Sequence, residues 1–273
     1  MIDPDAFNAF EAGIWETKAA GYDSFFGGIT SRLIEPLLEA AAVGAGTRVL
    51  DVATGPGYVA AGAARRGADV LGIDIATAMV ALAAKLHPEI EFRQGDVQDL
   101  PLEDGSFDAV VGNFLVLHLG RPEQGAAELA RVLAPGGRLA LTTWDVPGRA
   151  RLFDIFIGAV ADAGAQAPAA IPVGPDFFRF SDDDEFDALL DGAGLEDREV
   201  KTVAFEHDVA SPDGLWDGML GGTARTSVLI LEQDEETQGR IREAFKRRAY
   251  EYQHEYGLRI PISVKLASGR RSG

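Results

Sequence analysis

A chain of 273 residues, 47% hydrophobic and 25% charged, has the composition of a globular protein long enough to bury a sizeable core. Its 43 acids against 25 Lys and Arg leave a formal charge of −18, which repels phosphate backbones and anionic lipid, so neither nucleic acid nor a membrane is expected as a partner. The absence of cysteine excludes disulfides, thiolate catalysis and thiolate metal sites.

The first 45 residues read as helices preceding a sheet. Phe7, Phe10, Ile14 and Trp15 follow one helical spacing, and Leu33, Ile34, Leu37 and Leu38 follow another. Between them Gly21, Gly27 and Gly28 bracket Tyr22-Asp23-Ser24-Phe25-Phe26, which reads as a helix break and a hinge. Packing is expected for Trp15 and Phe25. Contact with a ligand is expected for Tyr22, because a Tyr-Asp pair in a glycine-bounded turn is not explained by core filling.

The run Arg48-Val49-Leu50-Asp51-Val52-Ala53-Thr54-Gly55-Pro56-Gly57 organises the rest. A β-branched strand enters a Gly-x-Gly turn, and a helix of small residues follows. Gly55 and Gly57 accept positive φ and let backbone approach a ligand closely. Asp51, a carboxylate in the strand end, disfavours a pyrophosphate and suits a cation. Val70–Asp74 and Ile90–Val97 read as further strands ending in acids, and Phe107–Asn113 as one ending in an amide. Asp51, Asp74, Asp96 and Asn113 thereby fall along the carboxyl edge of a parallel sheet, where open α/β sheets bind ligands.

Helices are expected over Ala76–Leu86 and Arg121–Leu133, the latter ended by Pro135-Gly136-Gly137 before a fifth strand, Arg138–Trp144. Arg151–Ala163 reads as a helix and Gln166–Pro175 as an irregular loop. Phe177, Phe178 and Phe180 form either a substrate lid or a satellite hydrophobic cluster. Acids from Asp182 cap a helix ending at Gly192. Val200–Val209 is a sixth strand and Ile260–Leu266 a seventh, separated by a helical insertion, Ala210–Leu258, with Leu215, Trp216, Met219 and Leu220 and a basic helix Arg240–Tyr256. The insertion caps the site or makes a dimer face. Ser268–Gly273 is expected to be loose.

Together these motifs resemble the class I S-adenosylmethionine-dependent methyltransferases, in the small-molecule branch of the ubiquinone and menaquinone biosynthesis enzymes. The resemblance rests on Val49–Gly57, Gly72-Ile73-Asp74, Gly95–Pro101, Ser106–Val110 and Glu128–Leu139. It implies an α/β, Rossmann-like seven-stranded mostly parallel sheet with the last strand antiparallel, helices on both faces and helical cap segments. The expected units are an N-terminal cap (1–46), a cofactor-binding core (47–145), a lid segment (146–181) and the rest of the core (182–273), with the insertion at 210–258.

The resemblance further implies S-adenosyl-L-methionine as cofactor, held by Tyr22, Asp51, Ala53, Gly55, Gly57, Asp74, Ile75, Met79, Asp96, Val97, Asn113, Phe114 and His118. In this pattern Asp74 takes the ribose hydroxyls, and Met79 faces the adenine ring. Asp96 accepts from the adenine amino group, and the Val97 amide lies beside it. Trp15 and Tyr22 match aromatic positions at the methionine end, which Asn113 and Phe114 border. His118 and Tyr22 are the candidate catalytic groups. A histidine here either takes a proton from a substrate hydroxyl or positions the cofactor. Metal-dependent catechol methyltransferases place an acid after the fourth strand. Asn113 stands there instead, so no metal is expected.

The expected function is methyl transfer by in-line displacement to a small-molecule acceptor, aromatic or natural-product-like, by a monomer or homodimer. A nicotinamide-dependent oxidoreductase would share the Gly-x-Gly turn and Asp74 but leaves Asp51, Asp96 and Asp99-Leu100-Pro101 unexplained. A non-catalytic S-adenosylmethionine-binding protein is the other alternative. No apolar run reaches the ~18 residues of a membrane span, and Met1–Asp5 lacks the features of a signal peptide, so a cytoplasmic location is expected.

Overall fold

In the computed structural model, which describes residues 2–273, β1 (Arg48–Val52) lies between two parallel partners, β2 (Asp69–Asp74) and β4 (Phe107–Gly112). Parallel pairing continues outward to β3 (Glu91–Gln94) beside β2 and to β5 (Leu133–Trp144) beside β4. β8 (Gly257–Arg271) then runs antiparallel between β5 and the edge strand β6 (Leu195–Val209). The full order is β3-β2-β1-β4-β5-β8-β6, and a two-residue β7 (Gln253–His254) pairs with β8.

Strand periodicity assigns alternate side chains to opposite faces. Val49, Ala109, Val111 and Ala140 pack on one face, against Ile34, Leu37 and Leu38 of α2 (Ile34–Ala40) and Val59 and Ala63 of α3 (Tyr58–Arg65). Leu50, Val110, Leu139 and Leu141 pack on the other. They meet Leu129 and Ala130 of α5 (Pro122–Val132) and Leu189 and Leu190 of α7 (Asp183–Gly192). Burial on both faces is why β1 and β4 read as nearly continuous apolar runs. Between β2 and β3 lies α4 (Thr77–Leu86).

A third apolar cluster lies over the far end of the sheet. It joins α6 (Arg151–Asp162), α8 (Pro212–Gly222), α9 (Arg225–Leu231) and α10 (Glu235–Ala249) to Trp144 and to Ile260, Ile262 and Val264 of β8. The basic helix expected to reach Tyr256 ends at Ala249.

Three expectations are corrected. The glycines of the N-terminal segment do not break it: α1 is one helix, Pro4–Thr30, capped by Asp3, whose Oδ1 accepts from the Ala6 amide at 3.1 Å. Gly21 and Gly221 instead let α1 and α8 touch backbone to backbone. A Cβ on Gly21 would run into the carbonyl of Gly221, and Gly218 and Gly222 receive the rings of Phe25 and Phe26. Phe25 therefore packs on α8. Ser268–Gly273 is not loose, because β8 continues to Arg271, whose Nη1 donates to the carbonyls of Arg131 and Leu133. Finally, β5 begins at Leu133 and β6 at Leu195, each earlier than expected. Both gain their extra length across a register shift, between Phe107 and Ala109 for the former and Glu196 and Glu199 for the latter. Among the described residues no helix is long and apolar enough to cross a membrane.

The two glycine environments in α1 give opposite expectations. Gly21→Ala overpacks the α1–α8 contact and costs about 1–3 kcal/mol. Gly13→Ala, where a Cβ meets nothing within 4 Å, gains about 0.5–1 kcal/mol of helix propensity. Urea unfolding of both variants checks this; equal effects would refute the glycine contact.

Candidate active site

At the carboxyl ends of β1 and β2 the backbone is held in an unusual course. Ala53, Gly55 and Gly57 all have positive φ (51°, 52° and 82°). Gly57 forms the left-handed N-terminus of α3, and a Cβ there would stand 2.8 Å from Phe92 and 3.0 Å from His87. Gly57 thus backs the turn and does not line the cavity in front of it. Ala53 and Gly55 do line it.

Asp51 departs from expectation in the same way. It is buried beneath the turn, accepting from Thr54 Oγ1 at 2.6 Å and from the Ala60 amide at 2.9 Å. Its Oδ1 is buried without a partner among the described residues, and it is absent from the cavity wall. Burial, only partly opposed by those two donors, pushes its pKa up to about 7. The carboxylate holds the start of α3.

Asp74 is buried on the cavity wall. Its Oδ2 accepts from the Gly55 amide at 2.9 Å and its Oδ1 from the Ala76 amide at 3.0 Å. One carboxylate so ties the glycine turn to the start of α4. Burial raises its pKa to about 6, against the pull of the two amides and of His118. The rest of α4's N-terminus is capped from α1, where Glu16 accepts from the amides of Thr77 at 2.6 Å and Ala78 at 3.0 Å.

Beyond Asp74 the wall continues through Ile75 and Met79, with Asp96 and Val97 from the end of β3. Asp96 Oδ1 accepts from the Gln98 amide at 2.9 Å. At the end of β4, Asn113 also lines the cavity, but its amide is engaged elsewhere. Nδ2 donates to the Thr30 carbonyl at 3.1 Å, and Oδ1 accepts from Thr142 Oγ1 at 2.6 Å. Phe114 follows with a φ of 59°, its amide on Thr142 Oγ1 and its ring tilted against Trp144 at 4.1 Å.

Aromatic rings close this end. Tyr22 stacks on Phe26 with centroids 5.6 Å apart and meets Trp15 edge-on at 5.6 Å. Burial raises the Tyr22 phenol to about 12, so it is a neutral hydroxyl at physiological pH and not a base. Trp15, expected to pack on the sheet, lines the cavity. Of the lid aromatics only Phe177 reaches the wall; Phe178 packs beside it and Phe180 is buried against Phe186.

His118 lies where a cluster absent from the sequence reading converges. Its Nδ1 is 2.9 Å from Glu11 Oε2, and its ring stands edge-on to Trp15 at 5.2 Å. Trp15 Nε1 donates to the same Glu11 oxygen at 3.1 Å. Arg225 Nε lies 3.0 Å from Glu11 Oε1, an ion pair without hydrogen-bond alignment, and its guanidinium sits between the rings of Phe7 and Phe177. Burial alone would raise the Glu11 carboxyl; His118, Arg225 and Trp15 outweigh it and hold the group below the usual carboxylate range. Glu11 and Arg225 carried no sequence signal, since their meeting joins helices at opposite ends of the chain. Among the described residues no group of three or more His, Asp or Glu has the arrangement of a metal site.

Comparison with known proteins identifies the core. Residues 50–141 match the family model described as a methyltransferase domain. The demethylmenaquinone methyltransferase of Beutenbergia cavernae is 33% identical over 173 residues, 62% of this chain and 72% of that protein. The YcgJ protein of Bacillus subtilis shares the fold with a TM-score of 0.58 at 20% identity, over 89% of this chain and 99% of that one. Phosphoethanolamine N-methyltransferase 2 of Haemonchus contortus, solved with S-adenosyl-L-methionine, shares it with a TM-score of 0.56 at 16% identity, over 94% of this chain and 57% of that one.

The raised carboxyls make stability depend on pH. A carboxyl whose pKa rises on folding stabilises the fold most below its unfolded value near 3.8, and that stabilisation is lost as pH rises toward the folded value. For Asp51 the window runs from about 4 to about 7. Asp51→Asn, which cannot ionise, should shrink the wild-type loss of stability between pH 5.5 and pH 8 by about 1–3 kcal/mol. Urea unfolding at both pH values measures it, and an undiminished loss would place the titration elsewhere.

Proposed function

The chain belongs to the class I S-adenosylmethionine-dependent methyltransferases, and we propose that it methylates a flat, neutral aromatic molecule bearing a hydroxyl group. The observation that carries this reading is one cavity that passes from the acids of β2 and β3 to a ring-lined chamber.

The residues present fit the cofactor. Asp74 stands where a ribose diol would lie, with its carboxylate already aimed by two backbone amides. Ile75, Met79 and Val97 offer an apolar slot, with Asp96 at its edge to accept from an adenine amino group. Gly55 lets the chain pass close to the ligand, and the rings of Trp15, Tyr22 and Phe114 border the same cavity, where aromatic surface favours a cation. Asn113 contributes by fixing the backbone at Phe114, its amide being taken by Thr30 and Thr142.

When bound, S-adenosylmethionine would supply a sulfonium methyl group for transfer to the acceptor, with the thioether as leaving group. The protein's share is alignment and exclusion of water, for which well-ordered reactants gain about 7–11 kcal/mol. Phe26, Phe114, Trp144, Phe153 and Phe177 wall the chamber beyond Tyr22 and suit an aromatic acceptor. His118 stands at that wall as the group able to take the acceptor's proton. The demethylmenaquinone relative points to a naphthalene-type acceptor, and the strongly acidic chain disfavours an anionic one.

Titration calorimetry with S-adenosylhomocysteine, with NAD as control, tests the cofactor reading. Asp74→Ala should weaken binding by at least about tenfold, or about 1.4 kcal/mol; unchanged affinity would falsify the assignment. Tyr22→Phe should keep turnover within about threefold, because the hydroxyl it removes is already neutral and transfers no proton. Incubation with hydroxylated naphthalenes and mass spectrometry tests the acceptor class. Full binding with no methylated product across that panel would instead favour a different acceptor or a non-catalytic role.

A further inference from the structure

We propose that Glu11 is a positioning residue that fixes His118 with Nε2 open to the cavity, so that this enzyme serves acceptors which become nucleophilic by giving up a proton. The inference rests on the methyl-transfer reading of the same cavity and adds a residue and an acceptor chemistry to it.

A carboxylate as buried as Glu11, 3% exposed, is costly unless its charge is met. Glu11 reaches across from α1 to a histidine 107 positions away and is met from three sides, by His118, Trp15 and Arg225. The division of its oxygens is informative. Arg225, from the cap helix α9, takes Oε1, which leaves Oε2 to the imidazole and the indole. An ionised carboxylate can only accept, so the neutral imidazole carries its proton on Nδ1 and keeps the lone pair on Nε2. Trp15 stands at 88° to the imidazole and limits its rotation. Among the described residues none makes a hydrogen bond to Nε2, and the His118 side chain retains 25% exposure on the cavity wall.

A histidine held at one nitrogen by a carboxylate and open at the other is the arrangement of a general base. A latch between α1 and the core would not need the imidazole to face the cavity. The charged groups that face His118 are Glu11 from α1 and Asp74 from the end of β2, and Arg225 from α9 pairs with Glu11 behind it. In the step, the acceptor's O–H bond breaks and its proton goes to Nε2. The electron pair it leaves forms the new bond to the methyl carbon, and the sulfur–carbon pair returns to sulfur. The positive charge lost at sulfur reappears on the imidazolium, which Glu11 stabilises and from which the proton passes to solvent.

The test is nitrogen-15 NMR of the full chain at pH 8, with His118→Asn assigning the signal. Wild type should show Nδ1 protonated and Nε2 free; the opposite tautomer overturns the proposal. Glu11→Leu should abolish that preference and Glu11→Gln, whose amide oxygen still accepts, should restore it. A preference unchanged in Glu11→Leu overturns the positioning role. If Glu11→Leu fails to fold because it strands Arg225, the pair Glu11→Leu with Arg225→Met removes both charges together and carries the same comparison.

With S-adenosylmethionine and 1,4-dihydroxynaphthalene as probe, Glu11→Leu should lower kcat about 100-fold while the KM for S-adenosylmethionine stays within about twofold. An unchanged kcat overturns the proposal. If the probe is not turned over, the tautomer measurement decides alone. S-adenosylhomocysteine calorimetry separates the two readings: no binding to wild type sinks methyl transfer, whereas normal binding with the wrong tautomer sinks only the role of Glu11.

Discussion

One carboxylate joins the parts from which this site is made. Asp74 accepts from Gly55, in the turn after β1, and from Ala76, at the start of α4. Those two amides belong to segments that would otherwise drift independently, because a glycine turn and an uncapped helix start are each poorly determined by themselves. Placing an acid at the end of β2 converts them into a single wall. The cost is a buried charge, visible in the raised pKa, and the return is a backbone course with positive φ at Ala53 and Gly55 that a ligand can approach.

The opposite wall depends on helices that the minimal sheet does not require. α1 covers the strand ends, caps α4 with Glu16, and carries Glu11, Trp15 and Tyr22 on the side facing the cavity. It is held by α8 through the Gly21–Gly221 contact and by α9 through Arg225. Helices α8 and α9 are therefore tied through α1 to the cavity wall at the ends of the parallel strands. The network of Glu11, His118 and Arg225 lies where they meet.

The sheet and the polar residues at its carboxyl edge are legible because their signals are local. Val49–Val52, Val70–Asp74 and Phe107–Gly112 each announce a buried parallel strand within a few residues, and a polar residue stands at or just after the ends of β2, β3 and β4. Asp74, Asp96 and Asn113 accordingly fall on the wall. The motif places Asp51 and Gly57 at the turn but does not say on which side of it each lies. Asp51 turns its carboxylate to the Ala60 amide, and Gly57 backs onto the ring of Phe92. The glycines of α1 misled for the reverse reason: glycine weakens an isolated helix, yet here tertiary contact with α8 uses the missing Cβ. Glu11 and Arg225 were invisible, since a lone acid in one helix and a lone base in another become partners only through the fold.

The position of β8 has a consequence for how the molecule is made. It is the last of the sheet's strands in chain order, yet it lies inside the sheet, with β5 on one side and β6 on the other. During synthesis the parallel half, β1 to β5, can assemble as it leaves the ribosome, but β6 has no neighbour until β8 arrives. The open edge of β5 and the unpaired length of β6 are exposed together for the time needed to translate the helices between them, and a nascent chain in that state presents two strand edges able to pair with other chains. Charged residues along β6, among them Glu196, Glu199, Lys201 and Glu206, repel such partners until β8 closes the gap.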